Sequence, residues 1–152
     1  MLPVDPDGRV LLLHCINPSA PDDPYWVAIG GGLESGEDER AAAVRELWEE
    51  TALVVDPGGL VGPLHEETIE FGWAEFDIVQ HQTYYAADVS ADAPISFEHM
   101  EEVEVETTLG YRWWTLADLR STTERVLSNQ VAVIEDLIRS RAAVRGSGSP
   151  GW

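Results

Sequence analysis

Apolar and polar positions alternate along the chain in blocks that predict strands and helices joined by turns. The runs MLPV and RVLLLHCI are separated by DPDG, a turn sequence, which predicts a hairpin at the start of the chain. The segment NPSAPDDP has the composition of a loop. The apolar run YWVAI that follows is a candidate buried strand, and it leads directly into three consecutive glycines.

Residues 37–51, EDERAAAVRELWEET, have the spacing of a helix with one apolar face. The acidic residues at the start of this segment interact favourably with the positive end of a helix. The predicted buried face consists of Ala41, Val44, Leu47, Trp48 and Thr51.

The second half of the chain predicts two long strands, an acidic connection, a further strand and a second helix. The strands are LVGPLHEETIEF, FDIVQHQTYYAADV and YRWWTL, all rich in β-branched or aromatic residues. The helix lies within residues 117–144, and its apolar stripe consists of Val131, Ile134, Leu137 and Ile138. No repeat or domain break is evident, so residues 1–143 are predicted to form one domain, followed by a flexible tail at 144–152.

Charge restricts the partners of this chain. It has 152 residues, with 28 acidic side chains, 9 basic ones and a net charge of -19. Such a surface repels nucleic acid and anionic membranes, since both are bound through Lys and Arg. An acidic protein of this kind would need a metal ion in order to bind phosphates.

Two further observations concern the compartment. Cys15 is the single cysteine, which excludes an internal disulfide and is consistent with a reduced, cytoplasmic environment. The first ten residues lack the basic and apolar parts of a signal peptide, and no apolar run approaches 18 residues. We therefore expect a cytoplasmic protein that does not span a membrane.

The predicted helix carries an unusual group of glutamates. Glu46, Glu49 and Glu50 are three and four residues apart, which places them on one helical face where like charges repel. Either Arg45 or a hard divalent ion could compensate this charge, because Mg²⁺ and Mn²⁺ prefer carboxylate oxygen. The glycine-rich stretch IGGGLESGE comes just before the helix, where glycines permit close approach of a ligand to the backbone.

Residues 31–53, GGLESGEDERAAAVRELWEETAL, resemble the box of the Nudix hydrolase family, whose pattern is G-x5-E-x7-R-E-U-x-E-E-x-G-U with U aliphatic. One position departs from the pattern, because Ala52 stands where the family has its last glycine. An alanine with positive φ at this helix end would cost on the order of 1 kcal/mol. The positions that match are Gly31, Glu37, Arg45, Glu46, Leu47, Glu49, Glu50 and Leu53.

The resemblance implies an α/β fold, a Nudix-type α/β/α sandwich with a central mixed β-sheet. It also implies Mg²⁺-dependent hydrolysis of a nucleoside diphosphate linked to another moiety, with Mn²⁺ as a possible substitute. By resemblance, Glu46 and Glu50 are the principal metal ligands, and Glu49 is a third ligand or binds through water. The backbone carbonyl of Gly30 is a further candidate ligand, and Arg45 would orient the carboxylates.

Other candidate residues follow from the same comparison. The general base in this family is a box glutamate or a glutamate from a later loop, here EHMEEVEVE. We favour Glu102 over Glu98, Glu101 and Glu104 for that role. Gly31 and Gly32 are predicted to contact substrate through the glycine loop, and Trp26 could stack on a base.

Several alternatives remain open at the level of sequence. The substrate could be ADP-ribose or another nucleotide sugar, a nucleoside triphosphate, or a dinucleoside polyphosphate. A catalytically inactive nucleotide-binding module with the same fold is the alternative function, and Ala52 is the one feature in its favour. The short first strand is compatible either with a missing N-terminal segment or with a homodimer that supports its edge.

Overall fold

Six strands surrounded by helices make up the part of the chain that the structure, a computed structural model, describes: residues 1–127 and 129–147. The strands are β1 (Leu2–Val4), β2 (Val10–Asn17), β3 (Ala20–Val27), β4 (Val61–Trp73), β5 (Phe76–Asp88) and β6 (Thr108–Trp114). The α-helices are α1 (Glu39–Thr51), α2 (Glu102–Thr107), α3 (Leu116–Ser121) and α4 (Gln130–Ser147). None of these helices combines the length and apolarity needed to cross a bilayer.

The sheet is mixed, with the order β3-β2-β1-β5-β4 and with β6 paired to β2. Strands β1 and β5 are parallel, whereas the other pairs are antiparallel. The predicted hairpin at the start of the chain is confirmed, because β1 and β2 pair around a turn in which Gly8 has a φ of 80°. Buried Asp5 holds this turn by accepting hydrogen bonds from the backbone N–H groups of Asp7 and Arg9, at 3.0 and 2.8 Å.

Side chains that alternate along the central strands fill two separate cores. Val10 and Leu12 of β2 face the core beneath α3 and α4, and Leu11 and Leu13 face the core beneath α1. Because successive strand residues point to opposite faces, β2 is buried on both sides and reads as a continuous apolar run. The predicted α/β/α sandwich with a central mixed sheet is therefore confirmed.

Strands β3 and β5 are separated where β1 no longer lies between them, and we call this divided part of the sheet the fork. Val10 of β2 pairs with β1 and with β6, and His14 of β2 pairs with β3 and with β6. A strand has two edges, so β1 and β3 must share the edge of β2 that lies opposite β6. Strand β1 begins at Leu2, which pairs with Ala86, so the part of β5 from Phe76 to Tyr85 extends past the start of β1. A gap therefore opens between β3 and β5.

Two turns meet at the far end of this fork. The side chain of Asn17 donates to the carbonyl of Gly72 at 2.9 Å and accepts from the backbone N–H of Ala74 at 3.3 Å. The hydroxyl of Ser19 donates to the carbonyl of Ala74 at 2.7 Å. These contacts join the β2–β3 turn to the tip of the β4–β5 hairpin, and they close the fork into a bounded space.

Two sequence-based predictions are wrong in their local detail. The segment NPSAPDDP is not a loop, because β3 begins at Ala20. Prolines are tolerated there because β3 borders the fork, where backbone N–H groups need no partner strand. Trp48 is not on the buried face of α1: it is 42% exposed and stacks on His99 at 3.9 Å.

The later part of the chain differs from its predicted boundaries. The acidic connection contains α2, which the sequence did not indicate, and a short helix α3 precedes α4. Trp114 is fully buried whereas Trp113 is only partly buried, as their alternation on a strand predicts. Helix α4 continues to Ser147, so the predicted tail at 144–152 begins on the helix. Residues 148–152 lie outside the described residues.

Candidate functional site

Helix α1 has defined ends that fix the position of its carboxylates. The side chain of Asp38 caps the helix by accepting a hydrogen bond from the N–H of Ala41 at 2.7 Å. At the other end Ala52 has a left-handed φ of 63°, and its N–H donates to the carbonyl of Trp48 at 2.8 Å. The alanine thus keeps the backbone geometry that glycine favours, at a cost of about 1 kcal/mol.

Three carboxylates converge where α1 meets α2. Glu46, Glu50 and Glu104 each offer an oxygen atom, and these atoms lie within 4.8 Å of one another. Glu46 and Glu50 are only 6% and 8% exposed. Burial, reinforced by the charges of Glu46 and Glu104, raises the pKa of Glu50 to about 8. Burial also raises the pKa of Glu46.

Such a group of buried oxygen donors suits a hard divalent cation. Without a cation, close carboxylates in a buried setting resist ionisation, as the raised pKa of Glu50 indicates. Mg²⁺ and Mn²⁺ bind carboxylate oxygen in preference to nitrogen or sulfur. The donor set of Glu46, Glu50 and Glu104 therefore fits the cofactor that the sequence predicts.

The glycine loop before α1 contacts the same carboxylates. The backbone N–H of Gly30 donates to Oε2 of Glu50 at 3.0 Å. A Cβ atom at Gly31 would lie 2.3 Å from Oε1 of Glu46, so glycine is required for this side chain to remain in place. The glycine loop thus contacts both buried glutamates. The role of the Gly30 carbonyl as a metal ligand stays a prediction.

Arg45 joins the loop to the acidic face of the helix. Its guanidinium donates to both carboxylate oxygens of Glu37, at 2.8 and 2.9 Å, and lowers the pKa of Glu37. It also donates to Glu46 and Glu49, each at 2.9 Å, and to the carbonyl of Gly32 at 2.9 Å. The orienting role of Arg45 in the reaction stays a prediction.

The structure brings Glu104 to the cluster instead of Glu102. Glu102 begins α2 and is exposed, and two residues along a helix correspond to about 200° of rotation, which turns the two side chains to different sides. The backbone N–H of Glu101 donates to Oε2 of Glu104 at 2.9 Å and helps to hold this carboxylate in place. The Glu101-x-x-Glu104 spacing is that of a capping box and could have located this helix in the sequence.

Trp26 lies in the core, and its predicted contact with substrate finds no support in its position. It is 6% exposed, stacks on His14 at 4.2 Å and packs edge-on against Trp114 at 5.1 Å. Its neighbours Tyr25 and Val27 face the space within the fork instead. The sequence does not show which of these residues face the core and which face the cavity, because the predicted strand begins only at Tyr25.

The fork encloses a cavity of about 920 Å³, a volume that suits a nucleotide-sized ligand. On the side of α1 the cavity is lined by the three consecutive glycines, which include the predicted substrate-binding Gly31 and Gly32, and by Glu46. On the side of α4 it is lined by Arg125, Leu127 and Gln130. Glu46 is thus the residue of the acidic cluster that lines the cavity.

A second group of possible metal ligands lies nearer the surface. Glu39, Glu66 and His81 offer atoms within 4.8 Å of one another, and all three residues are exposed. The carboxylate of Glu39 already accepts hydrogen bonds from Thr83 and Tyr85, at 3.2 Å each. The buried cluster on α1 and α2 is therefore the stronger candidate for a cation.

Comparison with known proteins identifies relatives of the chain. A family model described as NUDIX domain matches residues 1–136. An RNA pyrophosphohydrolase from Roseobacter denitrificans is 30% identical over 111 residues, which cover 62% of this chain and 62% of that protein. A dihydroneopterin triphosphate diphosphatase from Haemophilus influenzae is 34% identical over 85 residues, covering 55% of this chain and 48% of that protein. The chain thus spans about half to three fifths of the length of these relatives.

Solved structures share the fold at low sequence identity. The E. coli dihydroneopterin triphosphate pyrophosphohydrolase is 20% identical, with a TM-score of 0.67 and coverage of 91% of this chain and 92% of that one. A C. elegans Ap4A hydrolase in a binary complex is 19% identical, with a TM-score of 0.61 and coverage of 89% and 87%. With the family match over residues 1–136 and the box on α1, these findings show that the chain belongs to the Nudix family.

Proposed function

We propose that the protein is a Mg²⁺-dependent pyrophosphohydrolase that cleaves the phosphoric anhydride of a nucleoside diphosphate linked to another moiety. The observation that carries this proposal is the convergence of Glu46, Glu50 and Glu104, of which Glu46 lines a cavity of about 920 Å³. The names of the two curated relatives, a pyrophosphohydrolase and a diphosphatase, support the same class of reaction.

Glu46, Glu50 and Glu104 would hold the ion, and Mn²⁺ could replace Mg²⁺ because both accept oxygen donors. When bound, a divalent ion neutralises phosphate oxygens and lowers the pKa of a bound water. The glycine loop at residues 30–32 lets phosphate groups approach the backbone beside these carboxylates.

Arg45 and Glu49 complete the proposed machinery. Arg45 keeps Glu46 in one orientation and ties the glycine loop to α1, so its role is to position groups for the reaction. Glu49 uses one oxygen to accept from Arg45, so its other oxygen could accept a hydrogen bond or a proton from a water molecule. We assign Glu104, instead of Glu102, as the acid that the later segment contributes to the site.

The proposed substrate is a small nucleotide derivative such as a nucleoside triphosphate, ADP-ribose or another nucleotide sugar. A net charge of -19 disfavours binding of a long polyanion, because few cationic side chains are present to replace counterions. A cavity of about 920 Å³ also suits a small molecule better than a polymer. We therefore propose that neither nucleic acid nor a membrane is a partner.

The inactive binding module is less well supported than the enzyme. Ala52 is the one feature that favours the inactive module. This alanine adopts the left-handed geometry of the helix end, so the glutamates of the box keep their positions on α1. Every acidic residue of the box is retained, and two of them lie in the buried cluster. The geometry that an active site needs is thus preserved.

A product assay with Mg²⁺ tests the proposal directly. The panel contains nucleoside triphosphates, ADP-ribose, nucleotide sugars and diadenosine polyphosphates, with chelator as a control. We expect cleavage of one class, which the Glu104→Gln variant reduces by roughly a hundredfold and Glu102→Gln leaves nearly unchanged. Equal loss in both variants would contradict the assignment of Glu104, and no cleavage by the folded wild-type protein would contradict the enzyme.

A further inference from the structure

Trp48 belongs to the helix of the box but lies on the side of α1 away from the acidic cluster. Two residues along a helix correspond to about 200° of rotation, so its side chain points away from those of Glu46 and Glu50. The indole is 42% exposed and stacks on the ring of His99, with the ring centroids 3.9 Å apart and the planes 16° from parallel. The route from Trp48 to the cation site is therefore its contact with His99.

His99 belongs to the turn that leads into α2. The backbone N–H of Met100 closes this turn by donating to the carbonyl of Phe97 at 3.1 Å. Glu101, two residues after His99, is the N-cap of α2, and its backbone N–H donates to Oε2 of Glu104 at 2.9 Å. The aromatic stack is thus two residues away from the start of the helix that carries the third carboxylate of the cluster.

Glu104 is the member of the acidic cluster that α1 does not carry. Glu46 and Glu50 lie about one turn apart on the same helix, which fixes their positions relative to each other. The position of Glu104 depends instead on where α2 begins. This helix has six residues, and isolated helices of fewer than about 12 residues are marginal in water, so tertiary contacts must set its position.

The connection before α2 is tied to α1 at two points. The backbone N–H of Ser96 donates to the carbonyl of Thr51, at the end of α1, at 2.9 Å. Three residues later His99 stacks on Trp48, which lies three residues before Thr51 on the helix. A hydrogen bond and an aromatic stack therefore hold residues 96–99 against the last turn of α1.

We infer that Trp48 is a positioning residue for the cation site. By holding His99 against α1, it sets the place at which α2 begins, and this brings Glu104 to the acidic cluster. Helix α2 also packs against β2 and β6, which hold it to the sheet, but the stack is a contact with the helix that carries the other two carboxylates. The inference rests on the proposed function, which it deepens by assigning a role to a residue of the box that lies away from the cluster.

Calorimetric titration of Mg²⁺ into a double-mutant cycle tests the inference. Trp48→Leu removes the stack, and the fold should tolerate the change because the side chain is 42% exposed and leucine is a strong helix former. We expect Mg²⁺ affinity to fall roughly tenfold. In the Glu104→Gln background the same change should lower it less than about twofold, because the stack then has no ligand to place. Equal losses in both backgrounds, or no loss in Trp48→Leu, would overturn the inference.

Conservative variants separate the stack from general packing. Trp48→Phe keeps an aromatic face for His99 and should hold Mg²⁺ affinity within about threefold of wild type. His99→Ala removes the other ring, and combined with Trp48→Leu it should lower affinity no further than either change alone. The matched control is Phe76→Leu, which removes an exposed aromatic ring at the tip of the β4–β5 hairpin and should leave affinity unaltered. Additive losses from Trp48→Leu and His99→Ala would contradict the proposed contact.

Amide hydrogen exchange of the metal-free protein gives a second readout that needs no cation. The backbone N–H of Val105 donates to the carbonyl of Glu101 at 3.0 Å, and that of Val133 donates to the carbonyl of Asn129 at 3.0 Å. In Trp48→Leu the Val105 amide in α2 should exchange roughly tenfold faster, while the Val133 amide in α4 keeps its rate. Equal acceleration at both amides would show a purely structural role. That result, or an unchanged rate at Val105, would count against the inference.

Turnover separates the inference from the proposed function. If the protein cleaves an anhydride but Trp48→Leu binds Mg²⁺ as the wild type does, the inference fails and the proposed function stands. If Mg²⁺ binding shows the coupling between Trp48 and Glu104 but no anhydride is cleaved, the proposed function fails and the positioning role of Trp48 stands.

Discussion

Helices α1 and α4 cover opposite faces of the same sheet, yet they bury different kinds of residue. Helix α4 contributes Val133, Ile134 and Leu137 to its core, all at most 5% exposed. Helix α1 contributes Leu47 to the other core, and two of its five buried residues are the glutamates of the acidic cluster. One helix therefore serves mainly packing, while the other uses part of its buried face for chemistry.

The difference shows how a functional site reduces the stability of the element that carries it. Burying an apolar side chain stabilises the fold by roughly 1.5–3 kcal/mol, but burying a carboxylate near others opposes folding when the group is charged. Arg45 offsets part of this repulsion through its bonds to Glu46 and Glu49. A bound cation would relieve the repulsion that remains among the glutamates. Without a cation, this repulsion lowers the free energy of unfolding.

The largest expected effect comes from breaking the packing role of α4. Ile134→Ala should lower the free energy of unfolding by roughly 2–5 kcal/mol, because it removes a fully buried side chain and leaves a cavity. Chemical denaturation at fixed Mg²⁺ concentration measures the change. Mg²⁺ affinity of the folded fraction should stay within about twofold of wild type, and a parallel loss of affinity would contradict the division of roles.

A pH series tests the opposite role of α1. The pKa of Glu50 is raised to about 8 in the fold, so the folded state keeps a proton that the unfolded chain releases near its ordinary pKa. The free energy of unfolding of metal-free protein should therefore fall by roughly 2–4 kcal/mol between pH 5.5 and 8 through this group.

Glu50→Gln and added Mg²⁺ provide the controls for that series. The variant should remove most of the slope, since glutamine cannot ionise. Mg²⁺ should restore the stability of the wild-type protein at pH 8 but not that of Glu50→Gln. An unchanged slope in the variant would show that another group causes the pH dependence.

A smaller effect is expected from the glycine loop. Gly31→Ala places a Cβ atom 2.3 Å from Oε1 of Glu46, and the flexible carboxylate must move aside. Mg²⁺ affinity should fall roughly tenfold while the thermal midpoint changes little. Gly32→Ala is the matched control, because a Cβ atom there meets no neighbouring atom within 4 Å. Equal effects of both variants would count against a specific contact at Gly31.

The smallest effect concerns the end of α1. Ala52→Gly should raise the free energy of unfolding by up to about 1 kcal/mol, because it relieves an alanine with a φ of 63°. Denaturant unfolding measures the gain, and turnover should be unaffected. A loss of stability would mean that the methyl group of Ala52 packs usefully enough to outweigh the backbone strain.

Local features of the site could be predicted from the sequence, because they depend on spacing along one segment. The glycine loop, the helix and the pairing of Arg45 with Glu37 all lie within residues 31–53, where the pattern of the box is continuous. The continuous apolar run of β2 is likewise typical of a strand that is buried on both faces. These features needed no information about distant segments.

Features that depend on tertiary contacts were not predictable in this way. Glu104 joins the cluster because α2 forms and packs against β2 and β6, whereas the sequence favoured Glu102 among four neighbouring glutamates. Trp48 stacks on His99, a residue 51 positions away, instead of entering the core. Trp26 is buried because it stacks on His14 of β2 and packs edge-on against Trp114 of β6.

Calorimetric titration of Mg²⁺ into the wild-type, Glu50→Gln and Glu102→Gln proteins at pH 8 tests the central claim most directly. If the buried cluster is the cation site, the wild type binds Mg²⁺, Glu102→Gln binds it equally well, and Glu50→Gln binds it at least tenfold more weakly while remaining folded. Equal Mg²⁺ affinity in the wild type and a folded Glu50→Gln variant would contradict the account, because the glutamates of α1 would then be buried for a reason other than metal binding.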